Sequence, residues 1–122
     1  MARDFVQSFL KQNNYPPRWG AHIAYLQTML WAVAVERANT FQPEELIKSL
    51  EASKSHPYAA SLGNVWYRAE DHQLIRPVPV VIGKPKSKMR NPDDFYEVVK
   101  VVPGEDVMQP IAETGCHMPA YS

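Results

Sequence analysis

The stretch that decides the fold is Gly20 to Ala38, GAHIAYLQTMLWAVAVERA. Ala21, Ile23, Ala24, Leu26, Met29, Leu30, Trp31, Ala32, Val33, Ala34 and Val35 make it apolar on nearly every side at helical pitch. A helix that is apolar all round is expected to be buried. At ~1.5 Å per residue it runs to about 28 Å, the width of a small domain. Its first turns interrupt the apolar run with His22, Tyr25, Gln27 and Thr28. Those polar residues place an O–H and a ring N–H at one end of the core, so residues 18 to 25 are the natural lip of a pocket. Residue spacing alone favours Tyr25 packing its ring and sending its hydroxyl to the surface.

Working outward, Asp4 is placed to cap a preceding helix whose inner face is Phe5, Val6, Phe9 and Leu10. Asn13-Asn14-Tyr15-Pro16-Pro17 stops it, because proline removes a donor and pushes the residue before it out of the helical region. Asn39 suits a left-handed cap at the end of the long helix. Thr40-Phe41-Gln42-Pro43-Glu44-Glu45 then starts a third helix, with proline in the first turn and two carboxylates at the positive end of the dipole. Three helices between residues 4 and 53 are expected.

After that the period changes. Residues 55–63 read as a loop, and Asn64 to Ala69 as a strand. Glu70-Asp71-His72-Gln73 reads as a turn, where carboxylates cap backbone N–H groups. Leu74 to Ile82 reads as a second strand. Pro77 and Pro79 share one parity there, so both missing donors lie on one edge. Such a segment is an edge strand or a crossing between two sheets. Lys84 to Pro92 is a basic loop, Phe95 to Val102 a third strand, and the remainder an irregular tail. The expected division is a helical part (1–54), a strand-rich part (55–103) and a tail (104–122).

The 122 residues suffice for one core. Lys+Arg and Asp+Glu both number 13, which removes any global electrostatic case for nucleic acid or an anionic membrane. The start, MARDFVQSF, is not a signal peptide, since no apolar run follows its charges. One cysteine, Cys116, excludes an internal disulfide and a multi-cysteine zinc site. Eight of the eleven prolines follow residue 50, marking an extended back half.

Chemistry-bearing residues are sparse. Cys116 and His117 are adjacent, but neighbours in sequence rarely face each other, so a tail cysteine is favoured over a nucleophile. His22, His56, His72 and His117 lack metal-ligand spacing, and no cofactor is expected. The four cations between Lys84 and Arg90 have no aromatic interleaving, so a solvated loop is favoured over a phosphate track. No glycine-rich phosphate loop is present.

The order of pieces resembles a known family. FVQSFLKQNNYPPRWGAHIAYLQTMLWAVAVERANTFQPEELIKSLE, then GNVWYRAEDHQLIRPVPVVIG, is similar to the C-terminal part of the type I solute-binding proteins of ABC transporters, in the leucine/isoleucine/valine-binding branch. The family's long helix corresponds to Tyr25-Leu26-Gln27-Thr28 running into Ala34-Val35-Glu36-Arg37-Ala38-Asn39. Its later strand and turn correspond to Gly63, Val65, Tyr67, Arg68, Asp71, His72 and Gln73.

The resemblance implies an α/β fold, three N-terminal helices followed by about three strands and an irregular tail, forming part of a Rossmann-like two-lobed receptor of the periplasmic-binding-protein type I. It implies a non-catalytic receptor, periplasmic or tethered outside the cell, that hands a small solute to a membrane permease. The solute would be an amino acid or a related carboxylate, aromatic acids included. Tyr25 maps onto a tyrosine that reaches the ligand cleft, and with His22 and Trp19 on the same lip it forms the expected ligand-binding set. Other cleft residues of the family lie upstream of what this chain contains. An apolar helix face is therefore expected to need cover, from self-association or from upstream chain. The alternative reading is a free-standing α+β module that dimerises through the proline-interrupted strand or a helix face. A Cys116-dependent enzyme ranks third.

Overall fold

The structure is a computed structural model, and residues 2–119 and 121 are described. Helix α1 spans Ala2–Asn13, α2 Trp19–Ala38 and α3 Pro43–Glu51, which continues as a 3₁₀ turn over Ala52–Lys54. Strands β1 (Tyr58–Ala60), β2 (Gly63–Tyr67) and β3 (Leu74–Ile75) form one antiparallel sheet. Strands β4 (Val78–Gly83) and β5 (Tyr96–Val102) form a separate two-stranded ribbon. A one-turn helix, α4 (Ile111–Thr114), lies in the tail. No helix among the described residues is long and apolar enough to cross a membrane.

The helix signals act where their chemistry says they should. Asn39 adopts φ 51°, and its N–H donates to the Val35 carbonyl at 2.8 Å, closing α2 with a left-handed residue. Pro43 opens α3 where a missing donor costs nothing. Asp4 sits inside the first turn of α1 rather than capping it, because that helix already begins at Ala2.

Four further expectations need correction. Helix α2 is not buried all round: it buries Leu26, Leu30 and Ala34, one stripe at i, i+4, i+8, and leaves Trp19 and Trp31 exposed. Too few elements surround it to cover a second side. The segment expected to be a loop contains β1, whose three residues pair with β2 from Tyr58↔Val65 to Ala60↔Gly63. The expected strand Leu74–Ile82 is two strands, broken at Arg76-Pro77: β3 pairs with β2, and β4 with β5. It is a crossing between two sheets. The tail expected to be irregular holds α4 and a 3₁₀ turn over Gly104–Asp106.

The core forms where α2 lies on the three-stranded sheet. Leu26, Leu30 and Val65 are its buried centre, flanked by Tyr58, Ala60, Tyr67 and Leu74. Leu46 from α3 and Ile75 from β3 are buried as well. Helices α2 and α3 are also joined by polar contacts: Ser49 Oγ donates to the Ala34 carbonyl at 3.1 Å, and Arg37 donates to the carbonyls of Ser49 and His56.

Candidate functional site

The front of α2 packs against α1. The Tyr25 ring lies 4.9 Å from that of Phe5, and His22 meets the same phenylalanine edge-on at 5.7 Å. Phe5 in turn contacts Phe9 at 5.9 Å. Offset and edge-on pairs of this kind hold rings beyond what area burial alone contributes. The Tyr58 hydroxyl has its pKa raised, first by burial and then by the neighbouring Tyr25. Tyr25 therefore lies near Tyr58, and shares Phe5 with His22. Trp19 stands apart from them, 83% exposed at the first position of the helix.

Beneath this lip the space is small. His22 and Leu26, with Ala60, Gly63, Val65 and Arg76, line a crevice of about 20 Å³. That volume accommodates about one water molecule. Within the described residues, the lip is a wall with aromatic and imidazole groups on it and no enclosed space for a solute.

A second cluster lies at the turn after β2. Arg68 donates from Nε to Asp71 Oδ1 at 2.9 Å and from Nη2 to Asp71 Oδ2, a two-point pairing. The same guanidinium donates to Gln73 Oε1 at 3.0 Å and to the Gln109 carbonyl at 2.8 Å. Both side chains of the ion pair are buried, at 7% and 8% exposure. The hydrogen bonds from Arg68 hold the Asp71 carboxyl below its ordinary pKa, and Asp71 raises that of Arg68. Asp71 Oδ1 also accepts the Gln73 N–H, the Asx turn expected of this residue, although its carboxylate is buried rather than solvated. His72 takes a positive φ of 55° and reaches Glu51 Oε1 at 2.9 Å. Ser53 Oγ accepts the Tyr67 N–H at 2.8 Å.

These contacts join the end of α3, strand β2 and the tail. The group is structural: the guanidinium already serves four acceptor atoms, while Arg68 and Glu51 also border the cavity beside it. Sequence reasoning took Asp71-His72-Gln73 as a turn but missed Glu51, whose only signal was a carboxylate at the end of an amphipathic helix. Glu51 Oε2 is buried and has no hydrogen-bond partner among the described residues.

Beside this cluster, Glu51, Lys54, Trp66, Glu70, Met108 and Ile111 border an open cavity of about 420 Å³. The Lys54 ammonium sits 5.0 Å over the Trp66 ring, whose Nε1–H donates to Glu105 at 3.3 Å. Glu51 Oε2 is sealed from that cavity, its accessible area being under 1 Å². Cys116 and His117 border a neighbouring space of about 250 Å³ with Glu70, Ile111 and Met118. The Cys116 N–H donates to Thr114 Oγ1 at 3.2 Å. Among the described residues no group of three or more His, Cys, Asp and Glu side chains is placed to hold a metal ion.

The basic loop neutralises itself in part. Asp94 accepts from Lys84 Nζ at 2.8 Å and from Arg90 Nε at 3.0 Å, and these two cations hold its carboxyl far below the usual carboxylate range. Phe95 and Met89 join Lys84, Lys86 and Arg90 around a shallow groove. The aromatic neighbour that the sequence order lacked is thus supplied by the fold.

No protein-family model and no curated protein matches the chain. Among solved structures, one described as an amino acid ABC transporter substrate-binding protein from Pseudomonas fluorescens Pf-5 superposes with a TM-score of 0.74 at 22% identity. The match covers 95% of this chain and 30% of that one, so this chain spans about a third of the length of the structure it resembles. The likeness establishes the fold: helices α1–α3 and the two small sheets have the arrangement of one segment of a substrate-binding protein.

Proposed function

We propose that this chain is one segment of an ABC-transporter substrate-binding receptor that holds amino acids or related small carboxylates, aromatic acids included. The observation that carries the reading is the superposition of 95% of the chain on such a protein. The receptor is non-catalytic, works outside the cytoplasm and delivers its solute to the membrane permease. Tyr25, His22 and Trp19 form this segment's part of the ligand cleft. The remaining walls come from elsewhere in a complete receptor, because a solute must bury most of its surface to be held.

Calorimetric titration of the 122-residue chain with a panel of amino acids and aromatic acids tests the incomplete cleft. No submillimolar binding is expected, and a submillimolar Kd would overturn it. Grafting the chain in place of the matching segment of the Pseudomonas protein tests the receptor reading. The graft should bind an amino acid, and Tyr25→Ala in it should weaken binding at least ~10-fold, the loss of one well-placed ligand contact. A folded graft that binds none of the panel would overturn the reading.

A second reading is favoured by one specific observation, the exposed valines on both faces of the β4–β5 ribbon. A free-standing interaction module would use such a surface directly.

A further inference from the structure

The ribbon contains a bulge that its sequence pattern hides. Val80 opposes Lys100 while Val81 opposes Val98, so Val99 is an extra residue in β5. Directly opposed residues on antiparallel strands project to the same face. Glu97 opposes Ile82 and Lys100 opposes Val80, and Val80 and Ile82 share a parity on the unbulged strand. Glu97 and Lys100 therefore lie on one face. Regular alternation would have put residues three apart on opposite faces.

That face also carries Val78, Val80 and Ile82, exposed at 38%, 44% and 51%. Across the ribbon each charge meets only an aliphatic side chain, and no ion pair joins Glu97 or Lys100 to another described residue. The opposite face, with Pro79, Val81, Val98 and Val101, has no charge to select a register.

Addition of a further strand is disfavoured at both edges. The Lys84 N–H donates to the Phe95 carbonyl at 2.8 Å, so the even-numbered residues of β4 point their backbone groups inward. Pro77 and Pro79 fall on the outer edge, where they offer no donor. The Val99 bulge disrupts the other edge. What remains open is the face.

We propose that the Val78/Val80/Ile82/Glu97/Lys100 face packs on the same face of a second copy of this chain. The twofold axis lies in the interface, perpendicular to the strands, and passes between Glu97 and Lys100. That operation sets Glu97 against the partner subunit's Lys100, and Lys100 against the partner subunit's Glu97. It also lays Ile82 over the partner subunit's Val80. A twofold contact must be self-complementary, and two opposite charges on an aliphatic field satisfy this with no further residue. The aliphatic contact supplies the attraction, and the charges fix register more than they add affinity. The patch is small, so the dimer is weak and concentration-dependent. The inference is independent of the receptor reading, since its test measures association and not ligand binding.

Sedimentation equilibrium of the full chain, from micromolar to near-millimolar concentration, tests it. Wild type should dimerise reversibly. Glu97→Lys and Lys100→Glu, each at an exposed position, should each weaken self-association at least ~10-fold, because like charges then meet across the axis. An equimolar mixture of the two variants should recover wild-type association as a heterodimer, and the double variant E97K/K100E should recover it alone. Recovery also shows that the single variants are folded. A wild type that stays monomeric throughout overturns the proposal and leaves the face to another part of a longer chain or to a different protein. A dimer indifferent to both reversals, or a mixture that fails to recover, overturns it as well.

Discussion

Residues 2–75 and residues 78–102 solve the same problem in opposite ways. The first region buries its apolar stripe against a sheet and seals its polar groups with one another, as Arg68, Asp71 and Gln73 do. The second has two strands with both faces in solvent, and Val80, Val81, Ile82, Val98 and Val99 are all exposed. The helices supply a layer for the three-stranded sheet, and nothing described supplies one for the ribbon. A two-stranded sheet with no covering layer is marginal on its own. Side-chain identity therefore matters in the first region through packing and in the second through whatever covers it.

Substitutions sharpen that difference in decreasing order. Leu30→Ala should cost about 3–4 kcal/mol in chemical unfolding, since a buried leucine at the centre of the core leaves a cavity. A loss below about 1 kcal/mol would mean that α2 is less firmly seated than its burial indicates. Gly104→Ala should cost about 1–3 kcal/mol by overpacking. A Cβ there would come within 2.8 Å of the Arg76 backbone N and O and of Ile75 Cγ2. A neutral result would show that the join between the two regions yields easily.

Asp71→Asn should lower the midpoint of thermal unfolding at neutral pH by several degrees. Its carboxyl is held below the ordinary value, so its stabilisation is complete above the unfolded pKa of about 3.9 and fades as pH falls through the lower folded value. The gap between wild type and variant should narrow below about pH 4. A gap constant with pH would deny that the charge matters. Val98→Ala in the ribbon should change the stability of the monomer by no more than about 0.5 kcal/mol. A larger loss at low protein concentration would contradict the exposure of that face.

Much of the first region was legible in the sequence. Proline pairs and asparagines mark helix ends by local chemistry, and Asn39 and Pro43 act without help from the rest of the chain. The crossing at Arg76-Pro77 was one of two outcomes left open by the prolines, since two missing donors at one parity suit either an edge strand or a crossing, and Pro79 in fact sits on the outer edge of β4 opposite Val101. Strand β1 was not legible. Tyr58-Ala59-Ala60 has weak strand character and pairs only because Asn64 and Val65 return beside it. The exposure of Trp31 was also hidden, since periodicity shows which residues are apolar but not how many neighbours exist to cover them. At the lip, Tyr25 and His22 were placed by their helix, while Phe5 and Tyr58 came to them only through tertiary packing.

The ribbon leaves the body at Arg76-Pro77 and returns at Gly104, whose Cα lies so near the Arg76 backbone that a methyl group would collide with it. Val78 pairs with Val102 just beyond that point, so the excursion starts and finishes at one place. An insert with coincident ends is exchangeable: its removal requires only a short bridge between Arg76 and Gly104, and its elongation moves nothing in the body. Strands β4 and β5 can therefore vary in length and surface chemistry while α2 and its sheet stay as they are. The glycine at the junction is what keeps the two ends close enough for that exchange.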